Sequence, residues 1–400
     1  MDSTSSSKLT FFPEEIVREI LLRLPAKSLI ICTAVCKSWS FLIKRCNFID
    51  AHLSHKLSFQ SNHQIVDGCQ VLLLENRTNF NLLSCYGDIF LPNPIPNPNP
   101  ALPGGGADYI TELMNPPILN ENTCFNMVQT RNGLICLTCC TEGDIAATDI
   151  FIWNPSIRRY VVLPRPNFIV CLKNYKTVRH YFGYDSHTND YKVLRCVSSY
   201  SKLVAVEIYS LARGSWKTLT ASAPTYFAYG TWPSYWAVVN DALHWVRPLE
   251  KKGKDMVIVS FDISTELFGE IMMPQGVRKT EYRDCNVRIS KHKGSVALLE
   301  CSNMLGISQT QLHLWVMEEY GVVESWTKLY TYSMAEYFAF SLGFNISHEQ
   351  VFMLDFRKTP PPPPLESYRK WQRQKTHRGY VMDFFVESLV LLGHPNAISY

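Results

Sequence analysis

The sequence predicts a small all-helical module followed by a large all-β domain. The module is predicted from Leu9 to Asp50, where helical punctuation and apolar spacing mark three short helices. The β domain is predicted beyond residue 130, where aromatic and β-branched runs alternate with turn signals. The 400 residues leave room for both parts, and 46% hydrophobic residues are enough for a sizeable core.

The three helices follow from breakers, caps and periodicity. Pro13 suits a first helical position and Pro25 disfavours a helical conformation in the residue before it, so the first helix is expected between them. Ser28 is placed to cap a second helix. Apolar residues at helical spacing complete the pattern: Ile16, Ile20, Leu21 and Leu24 in the first helix, and Val35, Trp39, Leu42 and Ile43 in the third.

This module holds more apolar surface than it can bury by itself. Domains of about 40 residues normally need disulfides, a metal or a partner to be stable, so a partner protein is expected. In the order and spacing of its anchor residues the segment resembles the F-box. The matching phrases are Phe12-Pro13-Glu14-Glu15, Glu19-Ile20-Leu21, Arg23-Leu24-Pro25, Ser28-Leu29 and Val35-Cys36-Lys37-Ser38-Trp39.

The resemblance implies a docking partner and a set of contact residues. It implies binding to a Skp-type adaptor, which joins the chain to the cullin of an SCF-type (Skp-cullin-F-box) ubiquitin ligase. The implied adaptor-binding residues are Phe12, Pro13, Ile20, Leu24, Pro25, Ser28, Leu29, Val35, Cys36 and Trp39. Phe12 stands where the family usually has Leu, and residues 31–33 stand where plant members often place basic and aromatic residues. The alternative interpretation is a helical cap on the following domain.

The β domain contains a repeat. Its anchors are Trp153, Tyr209, Phe261 and Trp315, separated by 56, 52 and 54 residues, and each follows an upstream hairpin signal. This spacing is near the ~50 residues of a kelch-type blade, and two hairpins give a four-stranded blade. We therefore expect a β-propeller of kelch-like repeats, with core tryptophans at 153, 216, 245, 315 and 326. A fifth unit is expected from Phe340 onward with Tyr380 to Asp383 as its anchor, while Gln70 to Phe90 either completes another blade or closes the ring.

This region also resembles a known domain, the F-box-associated domain of a plant family that includes S-locus F-box-like and F-box/kelch-like members. The matching phrases include Asn132-Gly133-Leu134, Trp153-Asn154-Pro155-Ser156 and Asn240-Asp241-Ala242-Leu243-His244-Trp245. The two resemblances divide the chain into an F-box at 9–50, connecting strands with a Pro/Gly-rich loop at 51–130, and a target-binding β domain at 131–400.

Two segments outside the repeat anchors are candidates for target binding. The first is an aromatic stretch punctuated by Gly and Pro, a composition common at interface hot spots: Tyr226, Tyr229, Trp232, Tyr235 and Trp236. The second is basic and follows a proline run, with Arg369 and Arg373 as its candidate contacts. For the second segment, a solvated loop between strands and a nuclear localisation patch remain as alternatives. The proline-rich stretch from Leu91 to Gly106 is expected to be an exposed loop.

Several function classes receive no support from the sequence. A net charge of +4 is too weak to indicate nucleic acid, and no apolar run reaches the ~18 residues of a membrane helix. The 13 cysteines are expected to be reduced thiols, including the lone pair Cys136 and Cys139, and His52 and His55 are expected on the surface. No catalytic residue, metal site or cofactor is expected, and neither nucleic acid nor membrane is expected as a partner.

The sequence thus favours a non-catalytic substrate-recognition subunit of an SCF-type ubiquitin ligase. It would bind an adaptor through its helices and an unidentified protein target through its β domain, in the cytoplasm, the nucleus or both. The alternative from another class is an F-box scaffold or inhibitor that does not cause degradation of its partner. A propeller enzyme is more remote.

Overall fold

The computed structural model describes residues 13–62, 67–75, 79–86, 110–114, 123–141, 144–168, 176–199, 202–219, 236–248, 256–277, 286–303, 309–335, 338–344, 350–355 and 381–400. Its N-terminal part is helical: α1 (Glu14–Arg23), α2 (Ala26–Cys32), α3 (Lys37–Ile43) and α4 (Cys46–Asn62). The three predicted helices are present, and α4 follows them. None of the described helices combines the length and apolar character that a bilayer crossing requires.

The apolar face predicted for α1 is divided between core and solvent. Leu21 and its neighbour Leu22 are buried, whereas Ile16 and Ile20 are exposed. The buried side of α1 therefore includes Leu22, while Ile16 and Ile20 of the predicted apolar face lie on the surface. Helix α3 buries Leu42 and Ile43 as its own inward face.

The remaining described residues form six antiparallel sheets. The first contains β1 (Asp67–Glu75), β2 (Asn79–Tyr86) and β3 (Ile110–Met114), with β22 (Val381–Phe385) beside β1. The second contains β4 (Thr123–Arg131), β5 (Leu134–Thr141), β6 (Asp144–Asn154) and β7 (Arg159–Val162), with β23 (Ile398–Ser399) beside β7. The third contains β8 (Lys176–Asp185), β9 (Asp190–Ser199), β10 (Lys202–Ser210) and β11 (Ser215–Thr218).

The last three sheets continue the series. The fourth contains β12 (Trp236–Val239), β13 (Ala242–Pro248), β14 (Met256–Asp262) and β15 (Leu267–Met272). The fifth contains β16 (Asn286–His292), β17 (Ser295–Asn303), β18 (Gln309–Met317) and β19 (Trp326–Ala335). The sixth contains β20 (Phe338–Phe344) and β21 (Gln350–Asp355). Edge strands of different sheets lie side by side, with β22 beside β4, β4 beside β8, β12 beside β16 and β16 beside β20.

The structure places the four repeat anchors at equivalent positions. Each lies in the third strand of its sheet, β6, β10, β14 or β18. The predicted core tryptophans are also buried: Trp153, Trp216, Trp245, Trp315 and Trp326. The indole nitrogens of Trp216 and Trp326 donate to main-chain oxygens 52 and 54 residues earlier, those of Pro164 and Met272, so each ties its sheet to the preceding one.

The unit expected at the end of the chain is arranged differently from the prediction. Residues 381–383 belong to β22, which pairs with β1 and not with β20 or β21. Residues 70–75 lie in β1 and residues 79–86 in β2, which share a four-stranded sheet with β3 and β22. Hydrogen bonding between strands from both ends of the chain is a long-range property that local alternation does not reveal.

The second, third and fourth sheets direct their short turns to one common edge. Arg131 at the end of β4 forms an ion pair with Asp241 in the β12–β13 turn at 3.3 Å, and Ser186 after β8 donates to the same carboxylate at 2.5 Å. Asn189, in the same turn as Ser186, donates to Asp50 of α4 at 3.0 Å. We call this side, which carries the turns at 132–133, 155–158, 186–189 and 240–241, the helix-facing edge. Since strand directions alternate, the segments 200–201, 220–235 and 249–255 attach at the opposite edge.

Candidate functional site

The helical module carries the most exposed large apolar side chains among the described residues. Between residues 16 and 41 five of them are 46 to 71% exposed: Ile16, Ile20, Ile31, Val35 and Phe41. Ile16 and Ile20 lie one turn apart on α1, so they share a face. Scattered exposed apolar residues are ordinary on protein surfaces, but five within 26 positions of one small module indicate a binding surface.

The residues predicted to bind an adaptor fall into three groups. The exposed ones are Pro13, Ile20, Pro25, Val35 and Cys36, and the half-buried ones are Leu24, Ser28 and Trp39. Leu29 is fully buried in a cluster shared with the sheets, so its predicted role as a contact residue does not fit this arrangement. Phe12 lies outside the described residues.

The prediction missed contributors to this surface. Ile31 was treated only as a departure from a family pattern, although it is the most exposed large apolar side chain described, at 71%. Phe41 was missed because it lies off the apolar stripe of α3. The Arg45 guanidinium lies 4.2 Å from the centroid of its ring, which shields one ring face and adds a charge beside the apolar surface.

Local contacts hold the loop between α2 and α3. The Sγ of Cys36, the residue before α3, accepts from the amide of Trp39 at 3.5 Å and so caps the helix. Trp39 in turn packs partly against the apolar core. The side chain of Cys36 is exposed.

A buried histidine of α4 contacts the chain between α1 and α2. His52 of α4 donates from Nε2 to the carbonyl of Leu24 at 3.0 Å, which fixes the chain between α1 and α2. Burial lowers the pKa of His52, so the ring is held neutral. The prediction that His52 lies on the surface was wrong, because α4 turns this position inward. His55, one turn further on, is exposed as expected.

The helical module is attached to the sheets through a shared core. Ala26 and Leu29 of α2 belong to the same buried cluster as Ile152 and Val161 of the second sheet. Polar contacts flank this cluster. The Glu387 carboxylate accepts from the amide of Ala26 at 2.9 Å and pairs with Lys56 of α4 at 2.5 Å.

The candidate target-binding residues are described only in part. Trp236 begins β12 and is half-buried, with its indole nitrogen donating to the Gln129 side chain at 2.9 Å and its ring edge-on to Tyr181. It therefore lies in a strand that packs between sheets, not in the exposed loop that was predicted. The other candidates lie outside the described residues: Tyr226, Tyr229, Trp232, Tyr235, Arg369 and Arg373. The same holds for the proline-rich stretch from Leu91 to Gly106.

The positions where the segments 220–235 and 356–380 join the sheets follow from the strands on either side of them. The 220–235 segment joins β11 to β12 and so begins and ends at the opposite edge. Strand β22 runs into Val386, whose carbonyl lies at Gly133 on the helix-facing edge, so β22 begins at the opposite edge. The 356–380 segment therefore rejoins the sheets at that edge as well.

The cysteine pair in β5 is buried within the second sheet. Cys136 and Cys139 are both buried, and burial raises the pKa of the Cys136 thiol. Among the residues that the structure describes, no group of three His, Cys, Asp or Glu side chains is arranged to hold a metal ion.

Sequence comparisons agree with this arrangement. Residues 9–50 match the F-box domain, and residues 110–352 match the F-box associated beta propeller domain. The chain is 28% identical over 341 residues to F-box protein CPR1 of Arabidopsis thaliana, covering 80% of this chain and 72% of that protein. It is 25% identical over 353 residues to F-box/kelch-repeat protein At3g23880 of the same plant, covering 86% and 85%. With its helical module and its β domain both matched, the chain belongs to the family of F-box proteins that carry an F-box associated β-propeller domain.

Proposed function

We propose that this protein is the substrate-recognition subunit of an SCF-type E3 ubiquitin ligase. The observation that carries the proposal is the exposed apolar surface of residues 16–41, which lies over a core already filled by Leu21, Leu29 and Ile43. These exposed side chains are not needed for the packing of the module itself. Membership of the F-box family makes a Skp-type adaptor, and through it a cullin, the partner that would cover them.

The target would bind at the opposite edge of the β domain. The helix-facing edge is occupied by α2, α4 and the segment that contains Glu387, so we assign the target to the opposite edge. The candidate contacts in 220–235 and 356–380 belong to segments that attach there, and loops vary more freely than packed strands. In this proposal the six sheets close into a ring, as a β-propeller of kelch-like repeats.

Such a receptor acts by positioning its target for a reaction that other subunits catalyse. The chain would hold a target beside a ubiquitin-loaded E2 and so raise the effective concentration of a target lysine, with no catalytic group of its own. It would act in the cytoplasm, the nucleus or both.

Adaptor binding tests the proposal directly. The double variant Ile31→Ser and Val35→Ser should lose at least about 100-fold in affinity for a Skp-type adaptor, because each buried apolar side chain contributes roughly 1.5–3 kcal/mol. The matched control is Leu267→Ser with Met272→Ser, two exposed apolar residues of β15. Titration calorimetry with a purified adaptor gives both affinities. Equal affinities for the two double variants would show that this surface does not bind the adaptor.

The same variant separates a degradative receptor from a scaffold. Full-length protein with Ile31→Ser and Val35→Ser should still capture the target in cells, while the target's half-life lengthens relative to wild type. A captured target whose half-life is the same with both proteins would instead support the non-degradative scaffold.

A further inference from the structure

The segment 386–400 lies between the helical module and the second sheet and contacts both. It leaves the end of β22 and returns as β23 along β7. Its residues Leu389, Leu391 and Leu392 are buried in the same apolar cluster as Leu29 of α2. We propose that this segment sets the orientation of the helical module relative to the sheets, and that Glu387 is its positioning residue.

Glu387 makes two directional contacts with two different helices. One carboxylate oxygen accepts from the amide of Ala26, the first residue of α2, at 2.9 Å. The other lies 2.5 Å from Nζ of Lys56 on α4, and the two charged side chains are only 20 and 26% exposed. Charge-assisted hydrogen bonds of this kind are short and depend strongly on geometry. A single side chain therefore contacts both helices with defined geometry, in addition to the shared apolar cluster.

The sheet side of the segment is held by the motif Trp153-Asn154 and its neighbours. The side-chain nitrogen Nδ2 of Asn154 lies 3.0 Å from the carbonyl oxygen of Ser388, 3.2 Å from the Ser388 hydroxyl and 2.7 Å from the carbonyl oxygen of Val390. Arg159 donates to the carbonyl of Leu392 at 2.8 Å. The indole nitrogen of Trp153 donates to the Tyr400 hydroxyl at 2.9 Å. The segment is thus anchored to the second sheet independently of its contacts with the helices.

Gly133 leaves space for the segment to approach the sheet. It has φ +78°, and a Cβ at this position would lie 2.4 Å from the carbonyl oxygen of Val386 and 2.5 Å from the hydroxyl of Ser388. Only glycine meets both requirements, because other residues strain at positive φ and would push the backbone of the segment away. The Asn132-Gly133 turn therefore also sets how closely Glu387 can approach the helices.

The orientation of the helices relative to the sheets should affect ubiquitin transfer to the target, but not the affinity for adaptor or target. A target held at the opposite edge reaches the E2 only if the sheets are correctly rotated relative to the adaptor-bound helices. This consequence rests on the proposed function, whereas the orientation itself can be measured in the protein alone. The two are therefore tested separately.

The first experiment measures the distance between the two parts of the full-length chain. Spin labels are introduced through non-canonical amino acids, since the chain has 13 cysteines, at exposed Glu15 of α1 and exposed Glu324 between β18 and β19. Double electron–electron resonance should give one narrow distance for the otherwise unchanged chain and at least a twofold broader distribution for Glu387→Ala. Asn396→Ala removes an exposed side chain of the same segment and should leave the width unchanged. An unchanged width in Glu387→Ala would overturn the proposal.

A milder variant keeps the test decisive if Glu387→Ala does not fold. Glu387→Gln keeps an oxygen for the amide of Ala26 but removes the charge opposite Lys56, so an intermediate width is expected. If the label-to-label distance distribution of Glu387→Gln were as narrow as that of the chain with Glu387, the positioning role would be contradicted.

The second experiment measures ubiquitin transfer to a captured target. Glu387→Ala should lower the transfer rate about fivefold or more, while the affinities for adaptor and target stay within about twofold. A loss of transfer that follows an equal loss of adaptor affinity would overturn the positioning role. Absence of transfer with the wild-type chain would contradict the proposed function, and the distance measurement would still decide the role of Glu387.

Discussion

The helical module and the fourth sheet place their apolar residues differently. Strand β14 buries Val257, Ile258, Val259 and Phe261 completely. The helices bury Leu21 and Leu29 to the same degree, yet they leave Ile31 and Val35 mostly exposed. Among the described residues of this sheet, Leu267 and Met272 of β15 are the exposed large apolar side chains, whereas residues 16–41 of the module expose five.

This difference shows which apolar residues are available to a partner. The two surplus residues on α1, Ile16 and Ile20, lie on the side facing away from the core. Among the residues that the structure describes, the three most exposed large apolar side chains, Ile31, Val35 and Phe41, all lie in this module. Three substitutions, in order of decreasing effect on stability, test whether this contrast holds.

The largest effect is expected in the core of the sheets. Trp245→Ala should lower the free energy of unfolding by about 3–5 kcal/mol, because the indole is buried and stacks on Tyr181 with ring centroids 4.9 Å apart. Urea unfolding followed by circular dichroism measures the loss. A decrease of less than about 1 kcal/mol would mean that this position is not part of a close-packed core.

A pH-dependent effect of intermediate size is expected from a buried histidine of the same sheet. Burial lowers the pKa of His244 to about 4, with its Nε2 hydrogen-bonded to the Tyr320 hydroxyl. The unfolded chain binds this proton near pH 6.5, so stability is highest above that pH and falls as the pH decreases toward 4, by about 3 kcal/mol at most.

His244→Gln isolates this contribution. Unfolding free energies of wild type and variant should differ in their pH slope between 6.5 and 4, with the variant flatter. Parallel slopes would show that His244 titrates equally in both states. His52 should contribute in the same direction within the helical module, since burial lowers its pKa too.

The smallest effect is expected at the exposed apolar surface. Ile31→Ala should change the free energy of unfolding by less than about 0.5 kcal/mol, because the side chain is 71% exposed in the free chain. Chemical denaturation of the isolated protein provides the measurement. A loss above about 2 kcal/mol would place Ile31 in the core and remove the contrast between the two regions.

Sequence reasoning identified what depends on nearby residues. The anchors Trp153, Tyr209, Phe261 and Trp315 could be aligned because strand alternation and turn residues recur within each repeat, and all four occupy third strands. The boundaries of the first helix could be predicted because Pro13 and Pro25 act on the residues next to them. The existence of an exposed apolar surface followed from the size of the module, although its exact members did not.

What the sequence did not reveal depends on contacts between distant residues. Leu29 is buried because α2 meets the second sheet, and His52 because α4 turns toward Leu24. The sequence analysis noted Asn154 only as part of a motif that resembles a family. In the structure its side-chain amide donates to main-chain carbonyls more than 200 residues away. Only the folded chain brings these groups together, and no periodicity in the sequence marks them.

The pairing of β1 with β22 has a consequence for synthesis on the ribosome. Gln70 pairs with Phe385, so β1 emerges long before its partner strand. At ~5–20 residues per second the wait is roughly 15 to 60 s, during which one edge of β1 has no strand to bond with. Unpaired strand edges attract other chains. We therefore expect nascent chains of this protein to depend on chaperones until the last strand is made, and truncations before residue 381 to aggregate.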